Sequence, residues 1–300
     1  KKFDQSQIKT VQEKWKPYNF KDQNIDDFLQ NLNIDKTVEI SSINGGYSNA
    51  LKQLNKFIDN GYEDYAKFSS NPSKEASSQL SPYFHSGQIS THEVFEKISN
   101  LESWTLESID PKMVGRREGW WGSTENFESF MDELITWREL GYHTCVRRAN
   151  YDQYSSLPEW AIKTLTDHSS DEREHIYSLD ELTYSQTHDE IWNAAQNQLR
   201  TQGIIQNYLR MLWGKKILEW TPNPQIALSY MITLNDRYAL DGRDPNSYSG
   251  VFWILGRYDR AWGPERSIYG KIRYMTSDST SKKFNLKPVS YTHLTLPTKA

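Results

Sequence analysis

The sequence is poor in cysteine and in long apolar runs. A single cysteine, Cys145, among 300 residues excludes an internal disulfide and any metal centre built from several thiolates, as is typical of proteins in a reducing compartment. No apolar run approaches the ~18 to 20 residues that span a bilayer, and the amino terminus has no signal-peptide segment. We therefore expect a soluble, cytoplasmic protein with no membrane partner and no metal.

The sequence also lacks an excess of positive charge. Its 35 basic and 39 acidic residues give a net charge of -4, so any nucleic-acid site must be a local patch. One stretch has that character, because eight basic and three acidic residues lie between Arg257 and Lys287. Such a run is usually only a solvated surface, and the alternative is a site for DNA phosphates.

Strand-like alternation of apolar and polar residues is almost absent after residue 45. Apolar residues recur instead at spacings of three and four, which predicts helices. Ser90 with Glu93, and Thr187 with Glu190, have the spacing of capping boxes that open helices. The expected fold is all-α, because the alternating strands and helices of a doubly wound sheet are not seen.

Composition divides the chain into three parts. Residues 1–45 are polar and weakly periodic, with one strand-like run at 37–40, and we interpret them as a linker or the edge of a missing α/β domain. Residues 46–287 form the expected helical domain. The segment 288–300 matches nothing before it and resembles a translated cloning adapter, so we interpret it as a non-native tail.

Three tryptophans follow one another on helix-like sequence. Trp213 and Trp220 are seven residues apart and fall on one side of a helix that Pro222 and Pro224 should end, and Trp192 lies on the preceding helix. Aromatic residues at helical spacing are usually ordinary core. The functional alternative is an electron relay to a bound cofactor.

A polar loop, LNDRYALDGRDPN, comes after these rings. Asp, Asn and Gly favour turns for local reasons, so the loop could simply cap helices. Polar groups this dense beside an apolar segment need partners if they are buried, and a cofactor's ribose or heterocycle could provide them. The candidate residues are Asn235, Asp241, Arg243, Asp244 and Asn246.

A serine-rich segment precedes an expected helix start at Pro82. Hydroxyls and free backbone N–H groups at a helix amino terminus can bind phosphate, although serine before proline is also a common cap. The serines concerned are Ser77, Ser78 and Ser81.

The segment DELITWREL places Glu133 and Trp137 four residues apart on one helix face. Together they could offer a hydrogen bond and a stacking surface to the same base. The alternative is an exposed glutamate beside a core tryptophan.

Six segments in order resemble the FAD-binding catalytic domain of the DNA photolyases, most closely the class II cyclobutane pyrimidine dimer photolyases. The resemblance covers about residues 60 to 287. It implies an all-α, photolyase-type helical FAD-binding domain whose amino-terminal α/β antenna domain is largely missing. The segments are YA…SSQLSPYFHSGQIS, ELITWREL, THDEIWNAAQ, NYLRMLWGKKILEW, LNDRYALDGRDPNSYSG and GRYDRAWGPERSIYGKIRYM.

The resemblance implies one FAD per chain and light-driven repair of pyrimidine dimers, the reaction of a deoxyribodipyrimidine photo-lyase. Asn235 would face the reactive nitrogen of the flavin ring, and the other candidates of the polar loop would line the flavin and its ribityl chain. Trp213 would be the ring nearest the flavin, with Trp192 and Trp220 as the next relay members. The phosphates and the adenosine side would be held by Tyr65, Ser77, Ser78, Gln79, Leu80 and Ser81.

The same resemblance implies a site for double-stranded DNA that contains a pyrimidine dimer, bound by a monomer. Glu133 would hydrogen-bond the lesion, while Trp137 and Trp253 would pack around the flipped dimer. The helix that faces the lesion would carry Asn207, Arg210 and Met211. Two alternatives stay open, a cryptochrome-like FAD photoreceptor and an inactive flavin-binding remnant, and the lesion residues favour repair.

Two positions depart from the family pattern. Ser69 stands where the family usually has an arginine, and Gln206 replaces a frequent histidine beside Asn207. An antenna chromophore has no identifiable site in these 300 residues.

Overall fold

The computed structural model describes residues 5–15, 24–113, 116 and 118–286. The chain divides into two compact units, residues 1–39 and residues 40–300. The proposed non-native tail at 288–300 lies outside the described residues. The interpretation of residues 1–45 as a linker and the boundary at residue 45 stay predictions.

The described residues form helices and no strand, which confirms the all-α prediction. Short 3₁₀ turns join several helices, and one isolated antiparallel bridge pairs Arg266 with Gly270. The α-helices are α1 Gln5–Lys14, α2 Ile25–Gln30, α3 Tyr47–Asn60, α4 Tyr65–Phe68, α5 Ser81–His85, α6 Thr91–Leu101, α7 Glu125–Met131, α8 Arg138–Arg147, α9 Glu159–Asp167, α10 Leu179–Thr183, α11 Glu190–Gln202, α12 Asn207–Glu219, α13 Pro224–Tyr238, α14 Pro245–Ile254 and α15 Ser277–Lys283.

The strand expected at residues 37–40 is not formed: Thr37 ends a turn, and the next three residues are a bend and irregular backbone. The Asp35 carboxylate accepts hydrogen bonds from the backbone N–H of Thr37 at 3.0 Å and from the Thr37 hydroxyl at 2.6 Å. A local side-chain acceptor of this kind favours a turn over an extended ladder.

The predicted helix starts are confirmed in part. The Ser90 hydroxyl accepts from the N–H of His92 at 3.1 Å and caps α6. Helix α11 begins two residues later than expected, because Asp189 is its cap and accepts from the N–H of Trp192 at 3.0 Å. Thr187 instead donates its hydroxyl to the side-chain oxygen of Asn193 at 2.8 Å.

Helices α11 to α14 pack together and enclose the three tryptophans. Trp192, Trp213 and Trp220 are all within 2% of complete burial, and α12 ends at Glu219, where the two prolines predicted an end. Gly214 permits the close approach of these helices, since a Cβ there would lie 2.2 Å from the Ile254 side chain.

Candidate functional site

The polar loop is tied to two helices through Asn235. This residue is 2% exposed on α13, and its amide donates to the Ser247 hydroxyl at 2.7 Å. Its side-chain oxygen accepts from the Arg210 guanidinium on α12 at 3.2 Å. The second guanidinium nitrogen of Arg210 lies 3.5 Å from Asp241 Oδ1. The structure therefore brings Arg210, expected beside the lesion, together with two residues expected beside the flavin.

Asp241 has an unsatisfied acceptor. Its Oδ1 is buried and makes no hydrogen bond, although Arg210 is within ion-pair distance. A buried carboxylate oxygen without a donor costs free energy, about 1–3 kcal/mol or more. The site thus fits a ligand that brings a hydroxyl or an N–H group to this loop.

The backbone of the rest of the loop leaves no room for a side chain at Gly242 and adopts a left-handed conformation at Arg243. A Cβ at Gly242 would lie 2.8 Å from the Asn235 carbonyl oxygen, and Arg243 has a positive φ of 63°. The Arg243 N–H donates to Asp236 at 3.0 Å, and the Tyr248 hydroxyl donates to the same carboxylate at 3.0 Å. The Arg243 side chain is exposed at this turn.

Two members of the loop also cap a helix. Asp244 accepts from the N–H of Asn246 at 2.9 Å and begins α14, while the Asn246 side chain is exposed. The capping interpretation of the loop is thus correct for Asp244, and it does not exclude ligand binding by its second carboxylate oxygen.

The serine-rich segment meets this loop through a residue that sequence reasoning missed. His85, at the end of α5, has its Nδ1 3.5 Å from Asp244 Oδ2. Helix α5 begins at Ser81, one residue before the expected start, and Gln79 adopts a positive φ of 54°. A signal existed, because His85 lies inside the quoted motif SSQLSPYFHSGQIS.

Ser77 and Ser78 are half-buried, Leu80 is buried, and Gln79 and Ser81 are exposed. The Ser78 carbonyl accepts from the Gln53 side chain on α3 at 2.9 Å.

The tryptophans form a connected set. The Trp192 indole N–H donates to the Trp213 carbonyl at 2.9 Å, and the Trp213 indole N–H donates to buried Gln196 at 2.8 Å. The rings of Trp192 and Trp220 meet edge to face, with centroids 5.6 Å apart. Trp220 then contacts Tyr177, whose centroid is 5.5 Å away and which is half-buried. The set leads from the core towards solvent.

A π-helical turn, Asp132–Trp137, interrupts the run from α7 to α8. Its hydrogen bonds span five residues instead of four, a feature often found at functional sites. The turn brings the Trp137 indole N–H within 3.0 Å of Asp132 Oδ2. The sequence spacing had paired Trp137 only with Glu133.

Trp137 and Trp253 contact each other, with ring centroids 4.5 Å apart and a 40° angle between planes. Tyr258 adds a third ring, 5.9 Å from Trp137 and edge to face with it. The Tyr258 hydroxyl lies 2.6 Å from that of Thr144 on α8. All three rings are half-buried, so they form an aromatic wall that solvent reaches. Sequence reasoning missed Tyr258, although it lies in the quoted motif GRYDRAW.

Glu133 belongs to the same π turn as Trp137 and has a strongly perturbed carboxyl. It keeps accessible surface, but surrounding protein atoms remove much of its hydration, and together with the charge of Asp132 this raises the pKa of Glu133 to about 7. Burial and the charges of Glu133 and Asp132 raise the pKa of Tyr65 of α4 well above its usual range. A side chain expected at the cofactor is thus electrostatically coupled to one expected at the lesion.

The start of α12 carries the remaining expected residues. Asn207 is exposed, and Met211 is half-buried. Gln206 caps the helix by accepting from the N–H of Tyr208 at 2.7 Å. Its side-chain amide donates to the Ser69 carbonyl at 3.0 Å, so the two positions interpreted from sequence as departures from the family pattern contact each other.

The basic stretch is smaller than the residue count indicates. Arg257 is 5% exposed, stacks on Phe252 and donates to the Tyr151 carbonyl at 2.9 Å. Burial lowers the pKa of Arg257 to about 10. Including Arg257 in a surface patch is therefore wrong, and Lys287 lies outside the described residues. The exposed arginines are Arg260, Arg266 and Arg273.

Among the described residues, no three His, Cys, Asp or Glu side chains come together in a way that could hold a metal ion. In the same part of the chain, no helix has the length and apolar character needed to cross a membrane.

Sequence comparison finds relatives over most of the chain, although no family model matches it. The deoxyribodipyrimidine photo-lyase of Methanothermobacter thermautotrophicus is 39% identical over 261 residues, which are 87% of this chain and 53% of that protein. The enzyme of the same name from Arabidopsis thaliana is 41% identical over 232 residues, or 77% of this chain and 43% of that protein. The chain thus spans about half the length of these relatives.

Solved structures with a similar fold include a cryptochrome from Synechocystis sp. PCC6803, with a TM-score of 0.59 and 14% identity over 87% of this chain and 47% of that one. An archaeal photolyase from Sulfolobus tokodaii, solved with two FAD molecules, has a TM-score of 0.54 and 16% identity over 89% of this chain and 50% of that one. The helical fold is therefore that of photolyase and cryptochrome catalytic domains.

Proposed function

The chain belongs to the photolyase and cryptochrome family, and from this premise we propose that it repairs cyclobutane pyrimidine dimers in DNA with light, using one bound FAD. The observation that carries the proposal is the accessible wall formed by Trp137 and Trp253 beside the proton-binding carboxyl of Glu133. A flavoprotein that only senses light has no need of such a wall.

The polar loop is the proposed flavin site. Asp241 Oδ1 lacks a donor in its buried position, and Asn235 and Arg210 present an amide and a guanidinium next to it. FAD supplies the light absorption and the one-electron chemistry of the reaction, while the protein supplies position and electrostatics. The residues proposed to hold it are Tyr65, Ser77, Ser78, Gln79, Leu80, Ser81, Asn235, Asp241, Arg243, Asp244 and Asn246.

The contact between His85 and Asp244 supports a single continuous site, because it joins the serine-rich segment to the polar loop. The two segments are separated by more than a hundred residues of sequence, yet they lie side by side. A dinucleotide needs both a phosphate-binding segment and a polar loop for its ring, and this arrangement offers them together.

The aromatic wall is the proposed lesion site. Extruding a damaged dinucleotide costs only a few kcal/mol, since its stacking is already impaired, and stacking on aromatic side chains recovers roughly 1–3 kcal/mol per base. Because its pKa is raised to about 7, the Glu133 carboxyl binds a proton much closer to neutral pH than an ordinary glutamate does. The protonated carboxyl can donate a hydrogen bond to a base carbonyl. Asn207, Arg210 and Met211 are proposed to complete the site.

The three connected tryptophans are the proposed relay. Trp213 is proposed as the member next to the flavin, Trp192 contacts it through a hydrogen bond, and Trp220 meets Trp192 edge to face. Their role is to return the cofactor to its active, reduced form after oxidation. Each ring is held by packing, and the indole N–H groups of Trp192 and Trp213 have acceptors.

DNA affinity is proposed to come from phosphate contacts of exposed arginines. Arg260 and Arg273 both stack on Trp262, at 4.4 and 5.1 Å from its ring centroid. These contacts hold two guanidinium groups on one aromatic platform, where they remain available to anions.

The test is repair of an oligonucleotide that contains one thymine dimer by the purified chain after FAD loading and photoreduction. We expect restored thymines under blue light and none in the dark. Flavin uptake and photoreduction without repair would instead support the photoreceptor alternative, and no flavin absorption after loading would support the remnant. Undamaged oligonucleotide of the same sequence is the binding control.

A further inference from the structure

The Asp132 side chain holds the indole of Trp137 in place. The indole N–H donates to Asp132 Oδ2 at 3.0 Å, and a hydrogen bond to an ionised acceptor is stronger than one between neutral groups. An indole has one N–H, so this bond selects one orientation of the ring about its last torsion. The plane of Trp137 is therefore set by a charged group rather than by packing alone.

This pairing exists because the backbone is π-helical at this point. Side chains three and four residues apart are neighbours on an α-helix, and side chains five apart are not. The wider turn at Asp132–Trp137 brings Trp137, five residues after Asp132, over Asp132. A regular α-helix through the segment would separate the carboxylate from the indole.

The orientation of Trp137 in turn determines the shape of the aromatic wall. Trp253 lies 4.5 Å away at 40°, and Tyr258 approaches edge to face at 5.9 Å. Trp253 and Tyr258 come from α14 and the loop that follows it, while Trp137 comes from the π turn. The hydrogen bond from Trp137 to Asp132 is thus a contact within the π turn that orients the Trp137 ring against Trp253 and Tyr258.

We propose that Asp132 is a positioning residue that fixes the plane of Trp137, and thereby the face that the aromatic wall presents to a flipped pyrimidine dimer. The inference rests on the proposed function, because it assumes that the wall binds the lesion. Asp132 itself contacts neither substrate nor cofactor in this account.

The charge of Asp132 has a second, separable effect on Glu133. The ionisable groups that face Glu133 are Asp132 within the same turn and Tyr65 from α4. Removing the negative charge of Asp132 favours the ionised form of Glu133, so the pKa of Glu133 falls and less of it is protonated at neutral pH. This titration therefore reports the charge of Asp132, whereas the indole exchange of Trp137 reports the hydrogen bond.

Three substitutions separate the hydrogen bond from the charge. D132N keeps an oxygen acceptor and removes the charge, D132L removes both, and W137F keeps an aromatic ring without the donor. E139Q is the matched control, since Glu139 is an exposed carboxylate paired with Arg138. It removes one charge from the following helix without touching Trp137.

The first measurement needs neither flavin nor DNA. In ¹⁵N spectra the Trp137 indole signal is assigned by its absence in W137F. We expect it to keep its slow exchange with solvent in D132N and to lose it in D132L. The midpoint of the Glu133 titration, followed by ¹³C-carboxyl signals, should fall in D132N and stay unchanged in E139Q. Unchanged indole exchange in D132L would overturn the proposal.

The second measurement is affinity for the thymine-dimer oligonucleotide relative to undamaged DNA. D132L should lose about ten-fold in lesion affinity, D132N should lose less, and D132L should cost nothing further when W137F is already present. Additive losses in the double variant would contradict the proposal. If D132L does not fold, the same comparison is made with D132N and W137F.

Failure of the proposed function is distinguishable from failure of this inference. If the wild-type chain binds dimer-containing and undamaged DNA with equal affinity, the proposed lesion site is wrong, and the assumption that the wall binds a flipped dimer is wrong with it. The indole exchange would still report whether Asp132 fixes the ring.

Discussion

The side-chain amide of Gln206 donates a hydrogen bond to the backbone carbonyl of Ser69 at 3.0 Å. Gln206 also caps α12, since its side-chain oxygen accepts from the N–H groups of Tyr208 and Leu209. One neutral side chain therefore links the start of α12 to the segment after α4. The two positions interpreted from sequence as departures from the family pattern form a single contact.

Gln206→Ala should lower stability by about 1 kcal/mol, because it removes a helix cap and a tertiary hydrogen bond. A loss of that size lowers Tm by roughly 2–4 °C for a domain of about 150–250 residues. Ser69→Ala is the matched control, since the acceptor is a backbone carbonyl, and it should leave Tm unchanged. Equal Tm values for the two variants, measured by thermal unfolding, would show that the Gln206 contact contributes nothing.

Glu133→Gln should lower dimer repair roughly ten-fold, because a neutral amide replaces the protonated carboxyl that is proposed to donate a hydrogen bond to the lesion. The pKa of Glu133 is raised to about 7, so its protonated form is present below that pH and is lost as the pH rises through it. The repair rate of the wild-type protein should fall as the pH rises above the pKa of Glu133, whereas the repair rate of the variant should not change over the same pH range. Flavin uptake, followed by absorption, should be the same in both proteins, and a wild-type profile without the alkaline fall would remove Glu133 from the site.

Trp213→Phe should prevent photoreduction of the oxidised flavin and leave the pre-reduced protein able to repair DNA. The reason is that Trp213 is buried and is the member of the proposed relay placed next to the flavin, with Trp192 hydrogen-bonded to it and Trp220 packed on Trp192. Trp15→Phe is the control, because Trp15 is 63% exposed and lies in the other compact unit. Photoreduction at the wild-type rate in Trp213→Phe would mean that electrons take another route.

Gly214→Ala should destabilise the protein by about 1–3 kcal/mol through overpacking. The added methyl group would lie 2.2 Å from Ile254 Cδ1 and 2.9 Å from Met231 Sδ. Gly250→Ala is a useful contrast, since nothing lies within 4 Å of its added methyl group and alanine is a better helix former by about 1 kcal/mol. Chemical denaturation should move the two midpoints in opposite directions, and a shift of the same sign would contradict the packing described for α12.

The periodic parts of the fold could be predicted from sequence. Helical spacing placed Trp192, Trp213 and Trp220 in the core, because the spacing of apolar residues can be seen in the sequence itself. The prolines after Trp220 predicted the end of α12, because each proline lacks a backbone N–H donor. The family resemblance selected Asn235 and Asp241, and the structure brings Arg210 to both of them.

The features that depend on tertiary contacts were not predictable. The π turn at Asp132–Trp137 has no periodicity signature, because one extra residue per turn is tolerated only when packing on both sides accommodates it. Arg257 looked like a surface charge in a residue count, yet it is buried on Phe252. The cap of α11 was displaced from Thr187 to Asp189 because several side chains in one stretch compete for the same free N–H groups.

The most direct test of the central claim is recovery of intact thymines from a dimer-containing oligonucleotide, measured by chromatography after illumination of the FAD-loaded, reduced chain. The account predicts repair under blue light, none in a parallel dark sample, and a strong reduction by Glu133→Gln under the same light. Repair at the same rate in the dark, or no repair by a chain that has taken up and reduced its flavin, would contradict it.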